Sequence, residues 1–388
     1  MNPCAVILGG YINGYAIINE LHSQGVRDIA LLTYHRQLAF YSNKTKAKSI
    51  ISKTKEDLLE KLQDLKKEYD LLVLFPTDDW FVEQLALLEP IIASFTFIPF
   101  NAQTVQHCSN KFVQYDFCNQ SGIPFPKTTL LDNAAGFHDI EKLAFPIIIK
   151  PVIRNDLMFD VFRSKRFYTS GEFENFKPDL TKYLQNGYEF IVSEIIPGTS
   201  SGNIYAYCAY ADKQGNILNE WGGRKLSQYP DDYGIFSSAS NEVPDTVMQQ
   251  GRDLVKSMGL YGFCEPEFKF DERDGKYKLM EVNLRSMMWN ELGTRSGVLL
   301  HYTQWCYATG AEVPVYKQES RLTVLIYYKH EILNLLSRKK YWSTFKKILS
   351  HKNKYWSGIY KGDLSPFFND MISTTKSIIS TLFKKRNA

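Results

Sequence analysis

The sequence predicts an α/β region over residues 1–105, an α+β region with antiparallel sheets over residues 106–315, and a basic, mostly helical extension over residues 316–388. Three observations lead to this division. Short apolar runs alternate with helix-period segments through the first hundred residues, the pattern of a parallel sheet covered by helices. After Ser109 the pattern changes to strand runs joined by tight turns, as antiparallel sheets require. From residue 316 onward there are 15 Lys/Arg against 4 Asp/Glu, whereas the remainder carries 31 against 38, so a mildly acidic body precedes a strongly basic tail.

Residues 5–8 read as a short buried strand, Gly9-Gly10 as a tight turn and residues 15–22 as a helix; a break at Gly25 precedes a second strand at 29–33. Helical spacing returns at 57–69, a buried strand at 71–75 and a helix at 80–88. In the second region a helix over 110–120 stops at Gly122, and Ile123-Pro124-Phe125-Pro126 continues as an extended connector. Strand runs follow at 146–150, 188–196, 205–212, 217–221, 262–270 and 277–282, with Asp212-Lys-Gln-Gly-Asn216 as a hairpin-type turn. One helix, 245–258, carries Val247, Leu254, Val255 and Met258 on a single face and closes at Gly259. In the tail, 332–349 and 367–383 read as basic, aromatic-rich helices.

Composition narrows the function classes. At 44% hydrophobic and 23% charged the chain is globular and can bury a shared core. Its longest apolar runs fall far short of the roughly 20 residues of a membrane span. The start Met1-Asn2-Pro3-Cys4 lacks a basic segment followed by an apolar stretch, so a cytoplasmic location is expected. Six scattered cysteines form no C-x-x-C pair, which argues against zinc ribbons, redox motifs and a disulfide framework.

The most informative stretch is Gly262-Phe-Cys-Glu-Pro-Glu-Phe-Lys-Phe-Asp271 with Tyr277-Lys-Leu-Met-Glu-Val-Asn-Leu-Arg285. A period of two sets Glu265, Glu267 and Lys269 on one face of the first run, and Glu281, Asn283 and Arg285 together on the second. The Asp274-Gly275 turn makes them an antiparallel hairpin, and a register with Phe268 opposite Met280 sets Glu267 opposite Glu281. Two carboxylates about 4 to 5 Å apart repel by a few kcal/mol even at an effective dielectric near 20. A cation between them is therefore expected, and magnesium suits two carboxylates, the neutral Asn283 oxygen and the phosphates of a bound ATP. Manganese is the alternative ion. Arg285 is a forked donor for a phosphoryl oxygen.

Two further segments carry weaker signals. In Phe145-Pro-Ile-Ile-Ile-Lys-Pro151 a doubly apolar strand delivers Lys150 to its end, as a phosphate contact needs or as a lysine snorkelling at a sheet edge would. Lys111, on the first turn of its helix, is similar. In Phe190-Ile-Val-Ser-Glu-Ile-Ile-Pro-Gly198 the missing N–H of Pro197 leaves the backbone of Glu194 and Ile196 to meet an adenine edge, unless this is a plain strand end.

In this order, Asn110-Lys111, Ile148-Ile149-Lys150-Pro151, Ser193-Glu-Ile-Ile-Pro-Gly198, Glu267 and Glu281-Val-Asn-Leu-Arg285 resemble the ATP-grasp superfamily. With Leu8-Gly9-Gly10-Tyr11-Ile12-Asn13-Gly14 and Phe75-Pro76-Thr77-Asp78-Asp79, the chain is similar to its carboxylate-amine ligases of the D-aspartate ligase-like kind over roughly residues 5 to 315. The resemblance implies a Rossmann-like (pre-ATP-grasp) domain followed by an ATP-grasp fold whose two antiparallel sheets sandwich ATP. It implies Lys111 and Lys150 on the phosphates, Glu194 and Ile196 on adenine, and Glu267, Glu281 and Asn283 on magnesium. The implied reaction joins small-molecule carboxylate and amine substrates through an acyl phosphate, with Lys150 and Arg285 catalytic and Arg224 and Lys225 holding substrate. Three departures stand out: 152–168 lacks the usual glycines of a phosphate-covering loop, 197–202 offers hydroxyls where an acid often binds ribose, and Leu284 replaces a frequent Pro.

Other readings compete. Gly198-Thr-Ser200-Ser-Gly202 with Asp271 and His301 matches the order of a serine hydrolase, but the motif runs into an alternating strand and not a helix. Gly9-Gly10 through Gly14 misses the G-x-G-x-x-G spacing of an NAD-dependent oxidoreductase. A nucleotide-binding protein with altered catalysis is a third reading, its basic tail contacting acidic lipid, nucleic acid or an acidic partner. A homo-oligomer is compatible with all of these.

Overall fold

The apolar runs of the first hundred residues are buried on both faces and separated by segments long enough to cross over, so they pair in parallel. The computed structural model describes residues 2–152, 161, 162, 164–198, 202–230 and 234–386. Strands β1 (Pro3–Leu8), β2 (Ile29–Thr33), β3 (Ala47–Ile50), β4 (Leu71–Pro76) and β5 (Thr96–Phe97) form a parallel sheet ordered β3-β2-β1-β4-β5. Helices α1 (Ile12–Ser23), α2 (Lys55–Lys66) and α3 (Asp79–Ile92) occupy the crossovers. The order reverses between β1 and β4, where sheets of this kind open a crevice beyond their carboxyl ends. Close packing there demands glycine: a Cβ on Gly9, whose φ is +115°, would lie 1.9 Å from Thr77 Oγ1, and one on Gly14 would lie 2.1 Å from the Gly9 carbonyl oxygen.

Helices α4 (Ala102–Ser109) and α5 (Lys111–Ser121) lead into a second, antiparallel sheet. The Asn110 side chain caps α5, and Gly122 ends it in the left-handed conformation. Strands β6 (Thr128–Leu131), β7 (Ile147–Pro151), β8 (Lys165–Phe167) and β9 (Phe190–Glu194) take the order β6-β9-β7-β8, with α6 (Phe137–Ile140) and α7 (Ser170–Gln185) against them. Alternating Ile147, Ile149, Phe190 and Val192 bury one face of this sheet in its own core with Phe173 and Leu180 of α7.

The third sheet has seven strands in the order β14-β13-β10-β11-β12-β15-β16. These are β10 (Ile204–Ala211), β11 (Ile217–Tyr229), β12 (Ile235–Ser240), β13 (Gly262–Asp271), β14 (Lys276–Asn283), β15 (Val324–Tyr327) and β16 (Lys354–Ser357). Helices α8 (Asp245–Ser257), α9 (Glu291–Arg295), α10 (Leu300–Thr309), α11 (Tyr328–Ser337), α12 (Tyr341–Ser350) and α13 (Ser365–Arg386) complete the chain. Among the described residues no helix is long and apolar enough to cross a membrane, and all six cysteines are free thiols.

The structure corrects several expectations. Glu267 does pair with Glu281, but a bulge follows, so Phe268 pairs with Leu279 and Met280 is the extra residue. The helix expected over 332–349 is broken at 338–340 into two. The tail also supplies β15 and β16, whose runs are too short to stand out from their helical surroundings; they join the large sheet beside β12. The 153–160 part of the expected phosphate-covering loop, and the hydroxyls of residues 199–201, lie outside the described residues.

Buried polar bonds fix the tail to this sheet. Glu331, 1% exposed, accepts hydrogen bonds from Ser227 (2.9 Å), Ser237 (2.6 Å) and Tyr341 (2.7 Å). His330 is buried against Tyr327 and Tyr229, with Nδ1 donating to the Phe236 carbonyl (2.6 Å), and burial pulls its pKa from 6.5 down to about 4. Between those values the unfolded chain binds a proton that the folded chain does not. Stability is thus full above pH 6.5 and falls as pH drops toward 4, by at most roughly 3 kcal/mol. Urea unfolding from neutral pH down to about 4 should show this loss in the wild type and a shallower one in H330F; equal slopes would refute the assignment.

Candidate active site

Strand alternation and one bulge build the centre of the site. Along β13, Glu265 and Glu267 turn to one face, and across the hairpin they pair with Asn283 and Glu281 respectively. The bulge at Met280 shifts the phase of β14, so that Glu281 and Asn283 share this face while Leu279, on the turn side, goes to the core with Phe268. Lys111, at the start of α5, secures the bulge by donating to the Met280 carbonyl at 2.8 Å. Glu265, Glu267 and Asn283 are buried, and Glu281 is half-buried.

Burying carboxylates side by side demands compensation, and each finds a different kind. Lys225 of β11 reaches over β10 to ion-pair with Glu267 Oε2, and its Nζ lies 5.7 Å from the centre of the Trp289 ring. Glu265 accepts from Trp289 Nε1 (3.1 Å) and Cys208 Sγ (3.4 Å). Burial, with the charge of Glu267 adding to it, pushes the Glu265 carboxyl up to about 8, so it is mostly protonated at neutral pH. Burial likewise raises Glu267, aided by Glu281 and opposed by Lys225. At Glu281 burial is outweighed by Lys111, Lys225, Lys150 and Arg285, and its pKa falls below the ordinary value. Lys225 is held above its ordinary value because Glu267, Glu265 and Glu281 together outweigh its own desolvation.

Four cations expected from sequence to meet phosphate or substrate therefore all act on one carboxylate. They come from four places: the start of α5, the end of β7, the middle of β11 and the exit of β14. A set of cations gathered in this way suits a polyanion.

The remaining candidates are placed as follows. Arg285 forms a two-point ion pair with Asp79 at the start of α3 (2.5 and 3.1 Å), and its Nη1 lies 2.7 Å from Met287 Sδ. Beside it the Asn13 amide donates to the Thr77 and Ser286 carbonyls, both at 2.9 Å, so the hairpin exit is tied to the crevice between β1 and β4. Arg224 and Lys225, both expected on substrate, turn to opposite faces of β11: Arg224 pairs with Glu242 (2.8 Å) and Lys225 with Glu267. The Glu194 side chain accepts from Ala144 N (2.9 Å) and Arg273 Nη1 (3.1 Å), and the Ile196 carbonyl, expected at adenine, accepts from Lys269 Nζ at 2.7 Å. These bonds pin the end of β9 to the hairpin.

Among the described residues the Asp271–His301 pair of the hydrolase reading does not form. Asp271 is held by Arg273 and Lys278, both at 2.7 Å, whereas His301 of α10 lies between Glu20 (2.9 Å) and Ser286 Oγ (3.0 Å); Ser200 is outside the described residues. The buried Glu20–His301–Ser286 chain went unnoticed in the sequence, because three residues from three separate segments leave no local pattern. Asp79 stood in a quoted motif but had no assigned role. Its partner, Arg285, is 206 residues away.

Among the described residues no three His, Cys, Asp or Glu side chains gather to hold a metal on their own. Two carboxylates do face each other, and the adjoining Asn283 Nδ2 is buried with no hydrogen-bond partner. Turning that amide over would present its oxygen in place of the orphaned nitrogen, so the donor set fits an oxygen-seeking divalent ion whose other ligands come from substrate.

No family model matches the chain. In sequence it is 26% identical over 237 residues to the D-aspartate ligase of Enterococcus faecium (strain Aus0004), a match that takes in 58% of the chain and 55% of that enzyme. The chain thus spans about half the length of the curated relative it matches. In structure it resembles N5-carboxyaminoimidazole synthetase from Staphylococcus aureus complexed with ADP, with a TM-score of 0.63, 13% identity and 96% of each chain covered. It also resembles phosphoribosylglycinamide synthetase from Anaerococcus prevotii (TM-score 0.63, 12% identity, covering 84% of this chain and 80% of that one). L-amino acid ligase from Bacillus licheniformis is a third (TM-score 0.57, 14% identity, 84% and 79%). At such identities the structural likeness is one of fold. The parallel sheet followed by an antiparallel sheet and a large, mainly antiparallel one is the ATP-grasp arrangement expected from the sequence, and over part of its length the chain is similar in sequence to a D-aspartate ligase.

Proposed function

We propose that the protein is an ATP-dependent carboxylate-amine ligase that works through an acyl phosphate. The observation that carries this reading is the convergence of Lys111, Lys150, Lys225 and Arg285 on Glu281, beside a second carboxylate. A site of that composition neutralises a triphosphate while keeping oxygen ligands for a divalent ion.

In this reading Lys111 and Lys150 bind phosphate oxygens, and the strand end at Glu194 and Ile196 borders the adenine. Glu267, Glu281 and Asn283 would hold magnesium, or manganese, which when bound supplies charge neutralisation at the phosphates. A carboxylate oxygen of the acid substrate attacks the γ-phosphorus; the bond to the β,γ-bridging oxygen breaks, and ADP leaves. The amine then attacks the acyl carbon, phosphate departs with the C–O bonding pair, and the amine gives up a proton as the amide forms. Arg285 lies where it can turn from Asp79 to the transferring phosphoryl group, and the β1/β4 crevice beneath it is the place for the acid or amine. Lys225 acts as a built-in countercharge that opposes protonation of Glu267 and ties it across the sheet.

Incubation with ATP, magnesium and pools of carboxylates and amines should release ADP and phosphate; AMP and pyrophosphate would exclude the acyl phosphate. The E281Q variant should fold normally and lose about 100-fold or more in ADP formation, and full turnover would remove Glu281 from the site. Because removing one partner strands the other charge, K225M should cost about 3 to 5 kcal/mol in urea unfolding. The K225M/E267Q double variant should regain more than half of that loss, and no recovery would mean that the pair is not the source of the cost.

A further inference from the structure

Between Glu331 and Asp363 the chain has no acidic residue, while residues 332–362 contain seven lysines and Arg338. Helix α12 and the residues on either side of it carry most of this run. Helix α12 turns Tyr341, Phe345 and Ile348 into the body. Lys339, Lys340, Lys346, Lys347, Lys352 and Lys354 are exposed. Two large apolar side chains stand out among them, Leu336 at 67% and Trp342 at 54% exposure, and the Lys346 ammonium lies 5.6 Å from the centre of the Trp342 ring. The nearest acid before the run, Glu331, is buried and bonded to Ser227, Ser237 and Tyr341, so it does not neutralise the surface. Those same bonds fasten both helices to the sheet, which makes the patch a fixed platform.

We propose that this surface docks the protein on an anionic lipid bilayer. Lysines meet headgroup phosphates and carboxylates, and Trp342 and Leu336 enter the interface, where an indole and an aliphatic side chain are both favoured. Nucleic acid is the poorer partner, since a protruding leucine gains nothing on a phosphate backbone and seven of the eight cations are lysine, not the forked arginine. The geometry permits docking during turnover: β16, next in sequence to α12, is one edge strand of the large sheet, and β14 with Glu281 and Asn283 is the other.

Sedimentation of the full chain with large vesicles tests this, comparing phosphatidylcholine alone with phosphatidylcholine containing about a third phosphatidylglycerol. Each lysine near such a surface adds roughly fivefold to partitioning. The wild type should favour anionic vesicles at least tenfold at low salt and lose that preference at high salt. The K339Q/K340Q/K346Q/K347Q variant should lose about tenfold or more, and W342A, with its charge unchanged, severalfold. Equal sedimentation with neutral vesicles, full binding by the lysine variant, or displacement from vesicles by single-stranded RNA would overturn the proposal.

Discussion

Two glutamates face each other across the β13/β14 hairpin, and the architecture around them answers their mutual repulsion. A buried carboxylate pair is tolerable only when opposite charge is brought to it and fixed there. Here that charge arrives from α5, β7, β11 and the hairpin exit, elements from the second and third sheets and the helix that precedes them. The same arrangement explains why Glu265, one pair along the ladder, is better kept neutral. Its two neutral donors, Trp289 and Cys208, satisfy it without adding a further charge.

Position follows from this demand. Lys225 must cross a strand to reach Glu267, and small Ala206, the β10 partner of Glu267, leaves room on that face. Arg285 ties the hairpin exit to Asp79 at the carboxyl end of the parallel sheet, where Asn13 makes a second tie. The charged centre and the β1/β4 crevice are thereby held as neighbours. The proposed ligation needs this, because its phosphoryl donor and its acceptors must meet within a bond length.

How much of this was legible depended on the range of the interaction. Strand runs and helix faces are local, so the parallel region, the 245–258 helix, its closure at Gly259 and the Glu267–Glu281 pairing could be read from periodicity and turn chemistry. The bulge could not, since an extra residue at Met280 looks like an ordinary core position until its partner strand is known. Tertiary partners were equally hidden: Lys225 with Glu267, Arg285 with Asp79, and Glu20 with His301 join segments whose spacing carries no signal. In the tail, composition announced a basic surface but not the strands that secure it, because β15 and β16 are four residues each and adjoin helices with similar apolar content.

The bulge at Met280 divides the hairpin into two mechanically separate halves. Beyond it, Lys278 engages Asp271 and Asp274 in pairs of their own, at 2.7 and 2.8 Å. On the near side lie the facing glutamates. A lengthened turn or a slipped pairing at the Asp274-Gly275 end can be absorbed at the extra residue before it reaches Glu281. The tip, which holds Glu194 through Arg273, is thus set apart from the half that carries the facing glutamates.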